Sequence, residues 1–181
     1  MIYRQSIYLK DGRECLLRHP TSKDAESILR HLVMTSAETD FMLRYPDEIK
    51  MTQEMEERYL AKVEKDHRSL MICAVVDGVI VANGGIDPVG NCDRGKHRAV
   101  FGVSIQKAYW GLGIGSAITQ ALVDKAKEMG YEQLELEVVA SNERGLALYK
   151  KIGFEVYGLR KKSFKYRDGH YEDEYLMSLN L

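Results

Sequence analysis

Three alternating glycines in Trp110-Gly111-Leu112-Gly113-Ile114-Gly115-Ser116 stand where a strand-like run gives way to a helix-like one. At such a junction backbone N–H groups can converge on an anion at the positive end of the helix. A dinucleotide fingerprint fails on spacing. G-x-G-x-x-G would need glycine at 116, where the chain has Ser116, and no acidic residue clearly takes the ribose-binding part on the next strand. A Walker loop fails as well, for want of a Gly-Lys-Ser/Thr ending. The glycines alone fit both a phosphate cradle and a tightly packed turn.

Downstream come Leu136-Glu137-Val138, Ser141-Asn142, Leu148-Tyr149 and Ile152-Gly153-Phe154. Asn142 and Tyr149 are seven positions apart, so on a helix they differ by only about 20° and share a face. A tyrosine, with a reference pKa of ~10, stays protonated at neutral pH and suits a general acid. The plain alternative is a core aromatic beside Leu146 and Ile152. On the preceding strand Leu134, Leu136 and Val138 point one way, and Glu135, Glu137 and Val139 the other. Glu137 lodged between strands would have its pKa raised toward neutrality and could serve as a base. Two solvated glutamates on an outer face explain the same pattern. Cys15, Cys73 and Cys92 form no CxxC pair, and the five histidines show no ligand spacing, so a metal site is not expected.

The elements that must position these residues can be read from period and punctuation. Glu14 to His19 reads as a strand stopped by Pro20. Thr21 and Asp24 cap a helix carrying Ala25, Ile28, Leu29, Leu32 and Val33 at helical spacing. Glu38 to Lys50 lacks one period and contains Pro46, which predicts a structured loop. Thr52 caps a second helix with Met55, Tyr59, Leu60 and Val63 on one stripe. Leu70 to Val76, Asp77-Gly78 and Val79 to Ile86 form a hairpin pattern. Arg98 to Ile105 is a strand, and Gly102 inside it predicts a bulge or a close backbone approach. A helix from Ile114 ended by Gly130, a strand Gln133 to Val139 and a helix Asn142 to Ile152 closed by Gly153 follow. Two strands, Phe154 to Tyr166 and Tyr171 to Leu179, finish the chain. Arg98 to Val139 has the length of one right-handed βαβ unit with parallel strands.

At 181 residues the chain is read as a single domain spanning 1–181, large enough to bury a core without disulfides. Its composition, 45% hydrophobic and 29% charged with a net charge of −1, excludes disordered and fibrous classes and gives no basic field to recruit nucleic acid. No apolar run approaches the roughly 20 residues of a membrane helix, and the charged N-terminus does not resemble a signal peptide. Cytoplasmic residence is the expectation. The run Arg160-Lys161-Lys162 faces Glu172-Asp173-Glu174 across the final turn and reads as a solvated hairpin.

Together these features resemble the GNAT acetyltransferase superfamily, whose acetyl-CoA signature is Q/R-x-x-G-x-G/A, followed by an Asn, then Leu-Tyr and Gly-Phe. Gly113 and Gly115 match the signature glycines, and Trp110 stands where Gln or Arg is usual. The likeness is strong over Arg98 to Tyr157, and the order of elements extends it over nearly the whole chain. It implies a GNAT-like α/β fold: a mixed, mostly antiparallel sheet with a parallel βαβ unit, splayed central strands and flanking helices. It implies acetyl-CoA as co-substrate, with no metal. The backbone from Leu112 through Gly113, Ile114 and Gly115 to Ser116 would cradle its phosphates, with Arg144 and Lys150 as surface charges. Asn142 would hold the pantetheine arm, Val103 and Ile105 would offer backbone hydrogen bonds to it, and Tyr149 would protonate the departing sulfur. Glu137 matches the proposed base of members that acetylate ribosomal-protein N-termini.

The resemblance leaves the acceptor open. The expected partner is a small-molecule primary amine, such as an amino acid, polyamine or amine antibiotic, with a homodimer left open. The ending Arg167-Asp168-Gly169-His170-Tyr171-x-Asp173-x-Tyr175-x-Met177 looks like the tail of GNATs that acetylate small molecules. Phe41 and Tyr45 in the 38–50 loop would contact the amine's apolar part. A protein N-terminal acetyltransferase, which needs an open groove, and a non-catalytic acyl-CoA-binding module are the alternatives.

Overall fold

Asp77 and Gly78 both take positive φ, 50° and 79°, and this tight turn folds β3 (Leu70–Val76) back on β4 (Val79–Pro88). The computed structural model describes residues 3–181. Its sheet has eight strands, the others being β1 (Arg4–Tyr8), β2 (Glu14–Arg18), β5 (Arg98–Ile105), β6 (Gln133–Val139), β7 (Glu155–Lys165) and β8 (Tyr171–Asn180). Their spatial order is β1-β2-β3-β4-β5-β6-β8-β7. Every neighbouring pair is antiparallel except β5 and β6, which are parallel and joined through α3 (Ile114–Glu128). The mixed α/β sheet with a parallel βαβ unit is therefore as expected.

Two apolar layers clamp this sheet. On one face α1 (Ala25–Glu38) and α2 (Gln53–Lys65) bury Ala25, Ile28 and Leu60 against Cys73 and Ile80. On the other, α3 and α4 (Glu143–Ile152) pack Ile114, Ile118, Leu122 and Tyr149 on Ile72, Ala74, Phe101, Leu134, Leu136 and Val138. Cys15 and Cys73 are fully buried, and burial pushes their thiols up to about 11 and about 12, as inert core groups require.

Local expectations held unevenly. Thr52 caps α2 by accepting from the Met55 N–H at 3.3 Å. The inward stripe of α2 is Glu56 and Leu60, however, while Met55 and Tyr59 are exposed. The first strand, β1, has no apolar alternation to betray it; it is an edge strand paired only with β2, so polar Gln5 and Ser6 are tolerated there. Gly102 makes no bulge either: the β4–β5 register runs unbroken from Ala82↔Ile105 to Pro88↔Ala99.

The decisive feature is how briefly β5 and β6 pair. Their register holds for Arg98↔Gln133, Ala99↔Leu134 and Val100↔Glu135, and then stops. Beyond Val100 and Glu135 the two strands splay. The Arg98–Glu135 ion pair pins the closed end of the wedge. Gly102 lies in the opening with nothing within 4 Å of where a Cβ would stand, which keeps the gap clear.

Candidate active site

The wedge opens into a cavity of about 580 Å3 walled by β5, β6, the glycine turn and α4. Gly113 caps α3 at φ 101°, a left-handed conformation that side chains resist. The first intrahelical bond runs from the Ala117 N–H to the Gly113 carbonyl, at 3.1 Å. The amides of Ile114, Gly115 and Ser116 at the start of the helix are therefore left for an outside acceptor. Gly113, Gly115 and Ser116 line the cavity, while Ile114 turns into the core and the Leu112 carbonyl accepts from the Lys10 N–H at 3.2 Å. A Cβ on Gly115 would come within 3.0 Å of Ile105 and 3.1 Å of Leu148. Close packing is thus present at Gly115, while Gly113 leaves the amide end of the helix open.

The charges around the turn can be placed. Trp110 donates its indole N–H to the Ile105 carbonyl at 2.9 Å, which folds the ring back against β5. Arg144 lies over that ring, 5.1 Å from its centroid, beside Gly111 at the cavity rim. Lys10 and Lys151 also line the cavity, whereas Lys150 is exposed and does not. Lys10 was missed because it comes from the turn between β1 and β2, far away in the sequence. Lys150 is the exposed surface charge it was expected to be, and stands about 100° around α4 from Lys151.

Asn142 and Tyr149 are brought together on the cavity wall, as their spacing requires. Asn142 caps α4, its Oδ1 accepting from the Gly145 N–H at 2.9 Å, which leaves its amide hydrogens available. Tyr149 stands edge-on to Phe101 and Phe154, at 5.9 and 6.0 Å. Burial pushes its hydroxyl up to about 12, so it stays protonated. It is a core aromatic and a cavity residue at once. Val103 and Ile105 also line the gap along the edge of β5 that β6 has left, with the Ile105 carbonyl already engaged by Trp110.

Glu137 reaches the cavity but is not lodged between strands: its side chain is 49% exposed. Both its oxygens accept from the Arg160 fork, at 2.5 and 2.6 Å. Arg160 also reaches Glu174, which the sequence placed in a solvated hairpin but which is buried on the same wall and accepts from the Ser163 hydroxyl. The basic and acidic runs of the final hairpin are thus partly a wall of the site.

A family comparison decides what this wedge belongs to: residues 31–154 match the model of the acetyltransferase (GNAT) family. The chain belongs to the GNAT acetyltransferase family. It is an acetyl-CoA-dependent N-acetyltransferase, and the open amides at the start of α3, the wedge and the rim cations fit that co-substrate. An L-amino acid N-acetyltransferase of Escherichia coli K12 is 26% identical over 167 residues, 91% of this chain and 97% of the relative. The ribosomal protein bS18-alanine N-acetyltransferase of the same strain is 34% identical over 80 residues, 44% of this chain and 53% of the relative. Among solved structures, a GNAT-family acetyltransferase from Streptococcus pneumoniae superposes with a TM-score of 0.88 at 28% identity, covering 92% of this chain and 99% of that one.

The two aromatics expected to meet the amine are separated. Phe41 lines the main cavity with Met42, Thr35 and Thr39. Tyr45 lines a smaller adjoining cavity of about 170 Å3, between the segment after α1 and the end of β7. There the Arg167 guanidinium covers the Tyr45 ring at 4.0 Å, and the Tyr45 hydroxyl accepts from the Arg167 N–H at 3.1 Å. Tyr166 donates its hydroxyl hydrogen to the Asp40 carbonyl at 2.7 Å, and Arg167 pairs with Asp47 at 2.8 Å.

Proposed function

We propose that this GNAT enzyme transfers the acetyl group to the primary amine of a small molecule. One observation carries the reading: the β7–β8 turn is latched onto the Thr39–Glu48 segment through Tyr166–Asp40, Arg167–Tyr45 and Arg167–Asp47. The contacts wall the smaller cavity that adjoins the main one at Thr39 and Met42, and we read them as a roof over the acceptor end. A roofed pocket suits a small amine, whereas a peptide needs an open groove. Every latch contact is solvent-exposed and so weakly held, which lets the roof lift to admit and release a small acceptor.

Within this reading the amine attacks the thioester carbonyl, and three tasks fall to the chain. Tyr149, kept protonated by burial, donates to the sulfur as the C–S bond breaks. Glu137 takes the proton the amine must lose, directly or through water, while Arg160 fixes its position. The free amides of α3, Arg144, Lys10 and Asn142 hold the co-substrate.

Thiol release from acetyl-CoA, measured with a panel of small primary amines and a parallel panel of peptides, tests the proposal. Turnover with small amines and little with peptides is expected. Faster turnover with peptides would favour the protein N-terminal reading that the bS18 likeness suggests, and no turnover with either would favour a binding module.

A further inference from the structure

On the α1 side of the cavity lies a buried polar chain that acetyl transfer as described does not use. His31, 1% exposed, reaches from α1 to β5, where its Nε2 is 2.9 Å from Ser104 Oγ. Its Nδ1 faces the Gln106 carboxamide nitrogen at 3.4 Å. That same nitrogen donates to the Ile80 carbonyl at 3.1 Å. Ser104 forms part of the cavity wall.

The hydrogens in this chain follow by elimination. A carbonyl oxygen only accepts, so Ile80 fixes which side of the Gln106 amide carries NH2. The NH2 group then also faces His31 Nδ1, which must accept. A neutral imidazole that accepts at Nδ1 carries its hydrogen on Nε2, and donates it to Ser104 Oγ. Burial pushes the imidazole down to about 4, which keeps the ring neutral. With a hydrogen already on Nε2, His31 takes no proton from Ser104, so the pair is not a nucleophile and its base. The Ser104 hydrogen points elsewhere, and the cavity is what it faces.

The side of the sheet says which molecule it meets. Val103 and Ile105 pack toward the α3 and α4 layer, where the glycine turn lies, and Ser104 between them points the other way, toward α1. On β6, Leu136 and Val138 likewise face the α3 and α4 layer, which turns Glu137 to the α1 side. The α1 side of the wedge thus carries the Glu137 carboxylate on one flank and a directed hydroxyl on the other.

The geometry points to Ser104 as a hydrogen-bond donor to the acceptor, aimed at an oxygen beside its amine, with His31 and Gln106 as the positioning residues that set the direction of the hydroxyl. The acceptor class this selects is an amine with a neighbouring carboxylate or carbonyl, as in an α-amino acid. Polyamines and simple alkylamines, which have no such oxygen, are disfavoured. The inference rests on the small-amine reading above and narrows it.

The test uses the full chain with acetyl-CoA. The twenty L-amino acids are screened first, and the best is then compared with its descarboxylated amine in wild type, Ser104→Ala, Ser104→Thr and His31→Leu. Ser104→Ala is expected to raise the amino acid's KM about 10- to 100-fold, the loss of one hydrogen bond to a charged group. The KM of acetyl-CoA and of the descarboxylated amine should stay unchanged, Ser104→Thr should restore the amino acid's KM in part, and His31→Leu should show the same split in weaker form. An equal loss for both amines, or a fall in kcat alone, would overturn the inference while leaving small-amine transfer standing. Absence of turnover with every amine would overturn both.

Discussion

At the scale of single residues, the account stands on protons being where the chemistry needs them. Tyr149 combines burial with a place on the cavity wall, so removing its hydroxyl should spare the fold and acetyl-CoA binding but lower kcat by about 10²–10⁴-fold. A Tyr149→Phe enzyme with full activity would return the residue to a packing role alone. Glu137→Gln should cost most at low pH, where unprotonated amine is scarce, and higher pH should partly rescue it; a wild-type pH–rate profile would place the base elsewhere. His31 makes a stability prediction with a definite sign. Its pKa falls from 6.5 to about 4 on folding, so between those values the unfolded chain holds the extra proton. Stability should therefore drop as pH falls through that window, by up to about 3 kcal/mol, and a His31→Leu protein should lack this part of the slope in urea titrations at several pH values. Tyr149, Asn142 and Glu137 drew notice through the family resemblance, since spacing alone put them on shared faces without separating a role from packing or solvation. His31, Ser104 and Gln106 could not be found in the sequence, since α1 and the end of β5, more than seventy residues apart, bring them together and neither carries a motif.

At the scale of elements, the glycine turn and the roof do separate jobs and should fail separately. Gly113→Val adds a branched side chain to a left-handed position facing the cavity, so it should weaken acetyl-CoA binding markedly in calorimetric titration. Unchanged affinity in the folded variant would remove the phosphate-cradle role. Arg167→Ala unlatches the roof and Phe41→Ala trims the cavity beneath it; both should raise the amine's KM while leaving the affinity for acetyl-CoA nearly intact. Lost acetyl-CoA affinity with an unchanged amine KM would mean that the two sides of the cavity are reversed. The helices and strands from Leu70 onward were legible because Asp77-Gly78, Gly130 and Gly153 punctuate clear periods. The roof was legible only as a loop: its partner is a hairpin more than a hundred residues on, and side chains such as Tyr166 and Arg167 look merely solvated when read locally. Gly102 marked the right place for the wrong reason, since the strand there is regular and its partner is what departs.

At the scale of the whole molecule, function follows from one interruption in an otherwise continuous sheet. Seven neighbouring pairs join the eight strands, and the single parallel one, β5 with β6, parts after three residue pairs although both strands run on. The wedge between them is open toward both the α3 and α4 side and the α1 side, and the proposed reading has thioester and amine meet across it. A βαβ unit could be read from the sequence by its length, whereas the early end of pairing was expected only through the family resemblance, because it depends on β8 drawing β6 along its full length while β4 holds β5. The central claim, transfer to a small amine under a closed roof, is tested most directly by kcat/KM for a free amino acid and for a short peptide beginning with that residue, in one thiol-release assay. The account predicts that the free amino acid is preferred by at least about 100-fold, because the peptide must hold the roof open throughout the reaction. Equal values, or a preference for the peptide, would contradict it.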